Sequence, residues 1–128
     1  MLPLHTLKER ENNMNKKEFK KILKEKNISF EEKDKWLIIN DSEYNVNLNS
    51  LTSLPENIKF ENGGHVNLSS LTSLPASTKF ENGGDVYLRS LKSLPANIKF
   101  ENGGYVILKN GNVIKQSKSY IERYNLEK

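Results

Sequence analysis

The sequence predicts a β-rich solenoid, α+β overall, with a helix and hairpin closing one end and a helical cap at the other. Three observations carry this. Residues 51–110 run LTSLPENIKFENGGHVNLSS, then LTSLPASTKFENGGDVYLRS, then LKSLPANIKFENGGYVILKN, and a repeat of fixed period is read before any local pattern. Every copy, and the partial copy ahead of them, holds a Val-x-Leu pair: Val46 and Leu48, Val66 and Leu68, Val86 and Leu88, Val106 and Leu108. Apolar residues make up 35% of the 128. That is thin for a two-layer domain and enough for a stack in which each turn buries only a few side chains.

Within one repeat, residues two apart on a strand point the same way, so each Val-x-Leu pair faces inward. The same pair in the next copy stacks on it, and strands so related pair in parallel, about 4.8 Å apart. Leu51 and Leu54 follow inward, as do Leu71 and Leu74, and Leu91 and Leu94. Pro55, Pro75 and Pro95 come next; proline removes a donor and sets φ, so the chain leaves the strand direction there. Ile58 and Phe60, and Ile98 and Phe100, supply the inward groups of the return side. The middle copy has Thr78 in place of the isoleucine and keeps Phe80. Stacked phenylalanines form a spine. Asn-Gly-Gly at residues 62–64, 82–84 and 102–104 makes the second corner, where glycine takes positive φ without steric cost.

The flanks divide the chain into an extension (1–13), an N-terminal helix and hairpin (14–44), the solenoid (45–110) and a C-terminal cap (111–128). Asn15 is an N-cap with Glu18 three residues on, the pattern of a capping box. Phe19, Ile22 and Leu23 make one apolar stripe on a helix to Lys26, and Asn27 ends it. A first strand is expected over Ile28 to Phe30, a charged turn over Glu31 to Lys35, and a second strand over Trp36 to Ile39. Trp36 is expected to cover the exposed end of the core, because a terminal turn has no neighbour. After Asn110-Gly111-Asn112 turns the chain, Val113 and Ile114 continue inward. Tyr120, Ile121 and Tyr124 share a face of a short final helix.

The Leu-Thr-Ser-Leu-Pro blocks at Leu51 to Pro55 and Leu71 to Pro75, with Leu91-Lys92-Ser93-Leu94-Pro95 and the Val-x-Leu strands, resemble the leucine-rich repeat family in its short bacterial and phage-type form. The resemblance covers about half the chain. Ser50, Ser70 and Ser90 stand where that family places a laddering asparagine, and Asn110 restores it only in the last copy. The family implies macromolecular recognition through the strand face and no catalysis.

Composition excludes several chemistries. There is no cysteine, so disulfides, thiolate metal sites and cysteine nucleophiles are absent. No run approaches the roughly 18 apolar residues of a membrane span, and a cytoplasmic setting is expected, that of a bacterial host for a phage-encoded chain. His5 and His65 lie far apart, with no metal-ligand spacing. Glu61, Glu81 and Glu101 recur beside Lys59, Lys79 and Lys99 and read as a solvated charged ridge. The Asn-Gly-Gly corners open no helix and precede no Lys-Thr or Lys-Ser, so they do not read as phosphate loops. No cofactor and no small-molecule substrate are expected. The net charge is +4. Its excess lies in residues 106–128, with five Lys or Arg against two Asp or Glu.

Function is sought where the copies differ. The outward strand positions read Asn45, Asn47, Asn49; His65, Asn67, Ser69; Asp85, Tyr87, Arg89; Tyr105, Ile107, Lys109. The last two sets bring aromatics beside cations, a composition favoured at binding centres. Asp85, Tyr87, Arg89, Tyr105, Ile107 and Lys109 are the expected partner-binding residues; the competing reading has the C-terminal cap covering Tyr105 and Ile107. The partner class is a protein or ribonucleoprotein complex. Small size and phage-like repeat style suggest an inhibitor of a bacterial defence complex, of the anti-CRISPR kind. The alternative is direct RNA or DNA binding, with bases stacked on the tyrosines.

Overall fold

A computed structural model describes residues 14–40, 45–96, 98–111 and 113–114, and among them the chain forms a β-solenoid of about 3 turns. Helix α1 (Lys16–Glu25) comes first, then the antiparallel strands β1 (Phe30–Lys33) and β2 (Trp36–Ile39). The turns follow as β3 (Val46–Asn47), β4 (Ile58–Phe60), β5 (Val66–Asn67), β6 (Lys79–Phe80), β7 (Val86–Tyr87), β8 (Lys99–Phe100) and β9 (Val106–Ile107). A 3-10 turn (Lys109–Gly111) leads to β10 (Val113–Ile114). The expected C-terminal helix lies outside the described residues.

Two sheets face each other across the core. The second sheet, in the order β10-β9-β7-β5-β3, holds the Val-x-Leu strands. They pair in parallel with valine on valine: Val46 with Val66, Val66 with Val86, Val86 with Val106. The first sheet, in the order β1-β2-β4-β6-β8, extends the expected hairpin into strands on the return side that were not anticipated. The return side is drawn into strands because stacked turns bring Phe60, Phe80 and Phe100 into register. Their rings lie 5.2 Å and 5.3 Å apart, tilted by 4° and 19°, which is the phenylalanine spine. Thr78 sits in the core with its hydroxyl donating to the Pro75 carbonyl at 2.8 Å, so the hydroxyl is satisfied where the other copies place isoleucine.

The helix is built as expected. Asn15 Oδ1 accepts from Glu18 N at 2.9 Å, and Asn15 Nδ2 donates to Glu18 Oε1 at 3.1 Å. At the other end Asn27 has φ 59, Ile28 N donates to Leu23 O at 2.9 Å and Asn27 N to Lys24 O at 3.1 Å, which is a Schellman stop. Phe19 and Leu23 are fully buried in the main core, with Ile28 packed on it. The hairpin is tighter than expected: strand β1 continues through Glu31 to Lys33, and the turn is only Asp34-Lys35, with Asp34 at φ 56. Val113 and Ile114 form an antiparallel strand, in register with Ile107 and Val106.

The Asn-Gly-Gly corners work differently from the expectation of positive φ. Among the described glycines only Gly111 has it, at 73°. The corner glycines serve close approach. A Cβ on Gly83 would lie 2.5 Å from the Gly63 carbonyl oxygen, and one on Gly84 2.5 Å from His65 Nδ1. Gly83 N donates to Asn62 O and Gly103 N to Asn82 O, each at 2.9 Å, so successive corners are hydrogen-bonded face to face. Gly83→Ala is therefore expected to cost about 1–3 kcal/mol through overpacking, read as a lower melting temperature in a thermal scan. An unchanged melting temperature would show that the corners separate freely.

The asparagines of these corners form a buried ladder. Asn82 Nδ2 donates to Gly64 O at 3.0 Å, Gly84 O at 3.2 Å and Asp85 O at 3.3 Å. Asn102 Nδ2 repeats this on Gly84 O, Gly104 O and Tyr105 O. The ladder sits ahead of the strand that each corner feeds, not at the serine positions after it.

Candidate functional site

The outer face of the second sheet is built from three columns of side chains, one per outward strand position. The first column is structural for most of its length. His65 N donates to Asn45 Oδ1 at 2.8 Å, Asp85 N to His65 Nδ1 at 2.7 Å, and Tyr105 N to Asp85 Oδ1 at 2.8 Å. Each turn thus presents an acceptor to the backbone of the next. Three different residue types satisfy one requirement, an acceptor atom at the right reach, and the bond to His65 assigns its ring proton to Nε2.

The second column changes role along the stack. In the first two turns Asn47 Oδ1 accepts from Asn49 N and Asn67 Oδ1 from Ser69 N, both at 3.1 Å. These are Asx turns, in which the side chain closes its own corner. Tyr87 and Ile107 occupy the same position and cannot make that bond. The stack gives up a local hydrogen bond there and gains an aromatic and an aliphatic surface.

The expected residues meet in part. Tyr87 OH donates to Asp85 Oδ2 at 3.4 Å, its ring meets His65 edge-on with centroids 5.9 Å apart, and Arg89 Cζ lies 5.9 Å from its centroid. The guanidinium so placed is held by a cation–π contact. Ile107 is the register neighbour of Tyr87 and is half-buried. Tyr105 is 51% exposed, the one exposed large hydrophobic among the described residues. Lys109 is exposed at the start of the 3-10 turn. Asp85 differs from the rest: its carboxylate is committed to Tyr105 N and the Tyr87 hydroxyl, with His65 Nδ1 3.8 Å away. It positions the face more than it offers itself.

His65 was not among the expected site residues, yet it bridges the structural column and the tyrosine. The signal was its place in the column; its bond runs to a backbone group in the next turn, which local reading does not supply. Trp36 was also misplaced. It lies half-buried on the outer face of the first sheet, with the ammonium groups of Lys35, Lys59 and Lys79 at 5.7, 5.5 and 4.7 Å from its ring centroid.

Among the described residues, no group of three or more His, Cys, Asp or Glu is arranged to hold a metal ion, and no helix is long and apolar enough to cross a membrane. No protein-family model matches the chain, and neither does any curated protein or solved structure.

Proposed function

We propose that the chain is a non-catalytic binding protein that recognises a protein partner through the outer face of its second sheet, over Tyr87, Arg89, Tyr105, Ile107 and Lys109. The observation that carries this is the change in the second column. Two turns use asparagine to close their own corners, and the next two replace it with Tyr87 and Ile107 beside an exposed Tyr105. An aromatic and aliphatic patch with cations at its rim is the composition of an interface centre. The likeness to leucine-rich repeats supports the same reading, since that family recognises macromolecules by its strand face.

Restoring the asparagine pattern tests the proposal without removing the fold. The variant Tyr87→Asn, Ile107→Asn regains the corner bonds of the first two turns, so its melting temperature stays within a few degrees of the parent. Tagged parent and variant are compared in pull-downs from bacterial lysate, with and without nuclease. One protein retained by the parent after nuclease, and reduced at least tenfold with the variant, is the expected result. Equal retention by both places the interface elsewhere. Capture that disappears with nuclease gives the nucleic-acid reading instead, in which tyrosines stack on bases and Arg89 and Lys109 meet phosphates.

A further inference from the structure

We propose that Trp36, Lys35, Lys59 and Lys79 form a second site, on the outer face of the first sheet, that takes the dianionic phosphoryl group of a phosphomonoester. It shares no residue with the partner-binding face.

The argument starts from register. Strand β2 pairs with β4 so that Ile38 stands beside Lys59, and β4 pairs with β6 so that Lys59 stands beside Lys79. Trp36 is two residues before Ile38, on the same face of its strand. Lys59 and Lys79 therefore reach the indole from two neighbouring turns, and Lys35 reaches it from the hairpin corner. Their ammonium groups lie 5.5, 4.7 and 5.7 Å from the ring centroid. Lys16 Nζ donates to the Lys35 carbonyl, which ties the helix to that corner.

Charge then selects the ligand. Like charges brought together around one ring repel, and an indole offsets only part of that repulsion. Among the described residues, Glu61 is the one carboxylate within ion-pair distance of the three, 3.7 Å from Lys59. Among the described residues, Lys79 and Lys35 have no carboxylate that close. On the adjacent strand Lys33 stands beside Trp36 and Glu31 beside Ile38, and these two offset each other. Three ammonium groups against one carboxylate leave room for two negative charges. A phosphomonoester carries about −1.5 to −2 at neutral pH, which matches. The ring itself is occupied by cations, so it serves as a platform that gathers them and not as a surface for stacking a base. Lys99 shows what the same column looks like without the aromatic: it stands beside Lys79 on β8 and has no ring contact.

The test uses the single tryptophan as its own reporter. Methyl phosphate is titrated into the full chain at constant ionic strength, and Trp36 emission is followed. The expected result is a saturable change. Lys79→Gln weakens the apparent affinity at least fivefold, and Lys99→Gln leaves it within twofold. Lowering the pH through the second phosphate ionisation, about 6, weakens methyl phosphate and leaves sulfate, a dianion throughout, unchanged. Both lysines are on the surface, and thermal scans show whether each variant folds as the parent does. A response that does not saturate, or equal loss in the two variants, would overturn the proposal. A response to sulfate that falls with methyl phosphate as pH drops would also overturn it, because it would then follow the protein's own titration.

Discussion

Phe80→Ala is expected to destabilise the protein by about 3–5 kcal/mol, a large part of what a domain this size has to lose. Phe80 is fully buried and stacked on both sides, 5.2 Å from Phe60 and 5.3 Å from Phe100. A solenoid's stability is the sum of its turns and the interfaces between neighbours. A hole in the middle turn removes contact from two interfaces at once. Phe100, which among the described residues stacks on Phe80 alone, is expected to cost less when truncated in the same way. Urea denaturation measures both: the midpoint falls while the slope, which reports surface exposed on unfolding, stays constant. A Phe80→Ala midpoint equal to that of the parent would show that the ring column is not what holds the turns together.

Asn82→Asp is expected to cost more than Asn82→Ala, although aspartate is nearly the same shape. The Asn82 amide nitrogen faces three carbonyl oxygens, of Gly64, Gly84 and Asp85. Those carbonyls fix which end of the amide is nitrogen. Its Oδ1 is buried without a donor, a cost the three-carbonyl clamp offsets. Alanine removes the clamp, worth about 1–3 kcal/mol. Aspartate puts a charge among carbonyl oxygens, a loss of about 3–5 kcal/mol of the kind seen for an uncompensated buried charge. The two variants also differ in pH dependence. A carboxyl so placed binds its proton more tightly folded than unfolded, so stability falls as pH rises and recovers as pH falls. Melting temperatures at pH 7 and pH 4.5, each relative to the parent at that pH, show the aspartate variant recovering and the alanine variant not. Identical behaviour of the two would mean that water reaches the corner.

Much of the candidate site was legible because the chain repeats itself. Variation at outward positions stands out against constant inward ones, and it pointed to residues 85–109 without any geometry. What it could not separate is variation that serves the fold from variation that serves a partner. Asn45, His65 and Asp85 differ in every chemical respect except carrying an acceptor, and that acceptor meets a backbone N–H in the next turn. Tyr87 and Ile107 make no such bond to the backbone. Only the structure shows which of the varied side chains are spent on the fold.

The sequence by itself determined the stack. Its period placed the valine and leucine columns, the phenylalanine spine and the proline corner, because each is a local pattern multiplied by repetition. Asn15 and Asn27 likewise set the helix ends from within a few residues. The tertiary structure alone decided what depends on one turn meeting the next. The return side becomes a sheet only when its strands of two or three residues lie in register. The corner glycines are required by a carbonyl one turn away, not by their own φ. Asn62, Asn82 and Asn102 become a ladder only where corners stack. Trp36 stands on the outer face because pairing with the next turn sets Ile38, two residues on, beside Lys59. In each case the deciding contact joins residues far apart in the chain, and no local pattern encodes it.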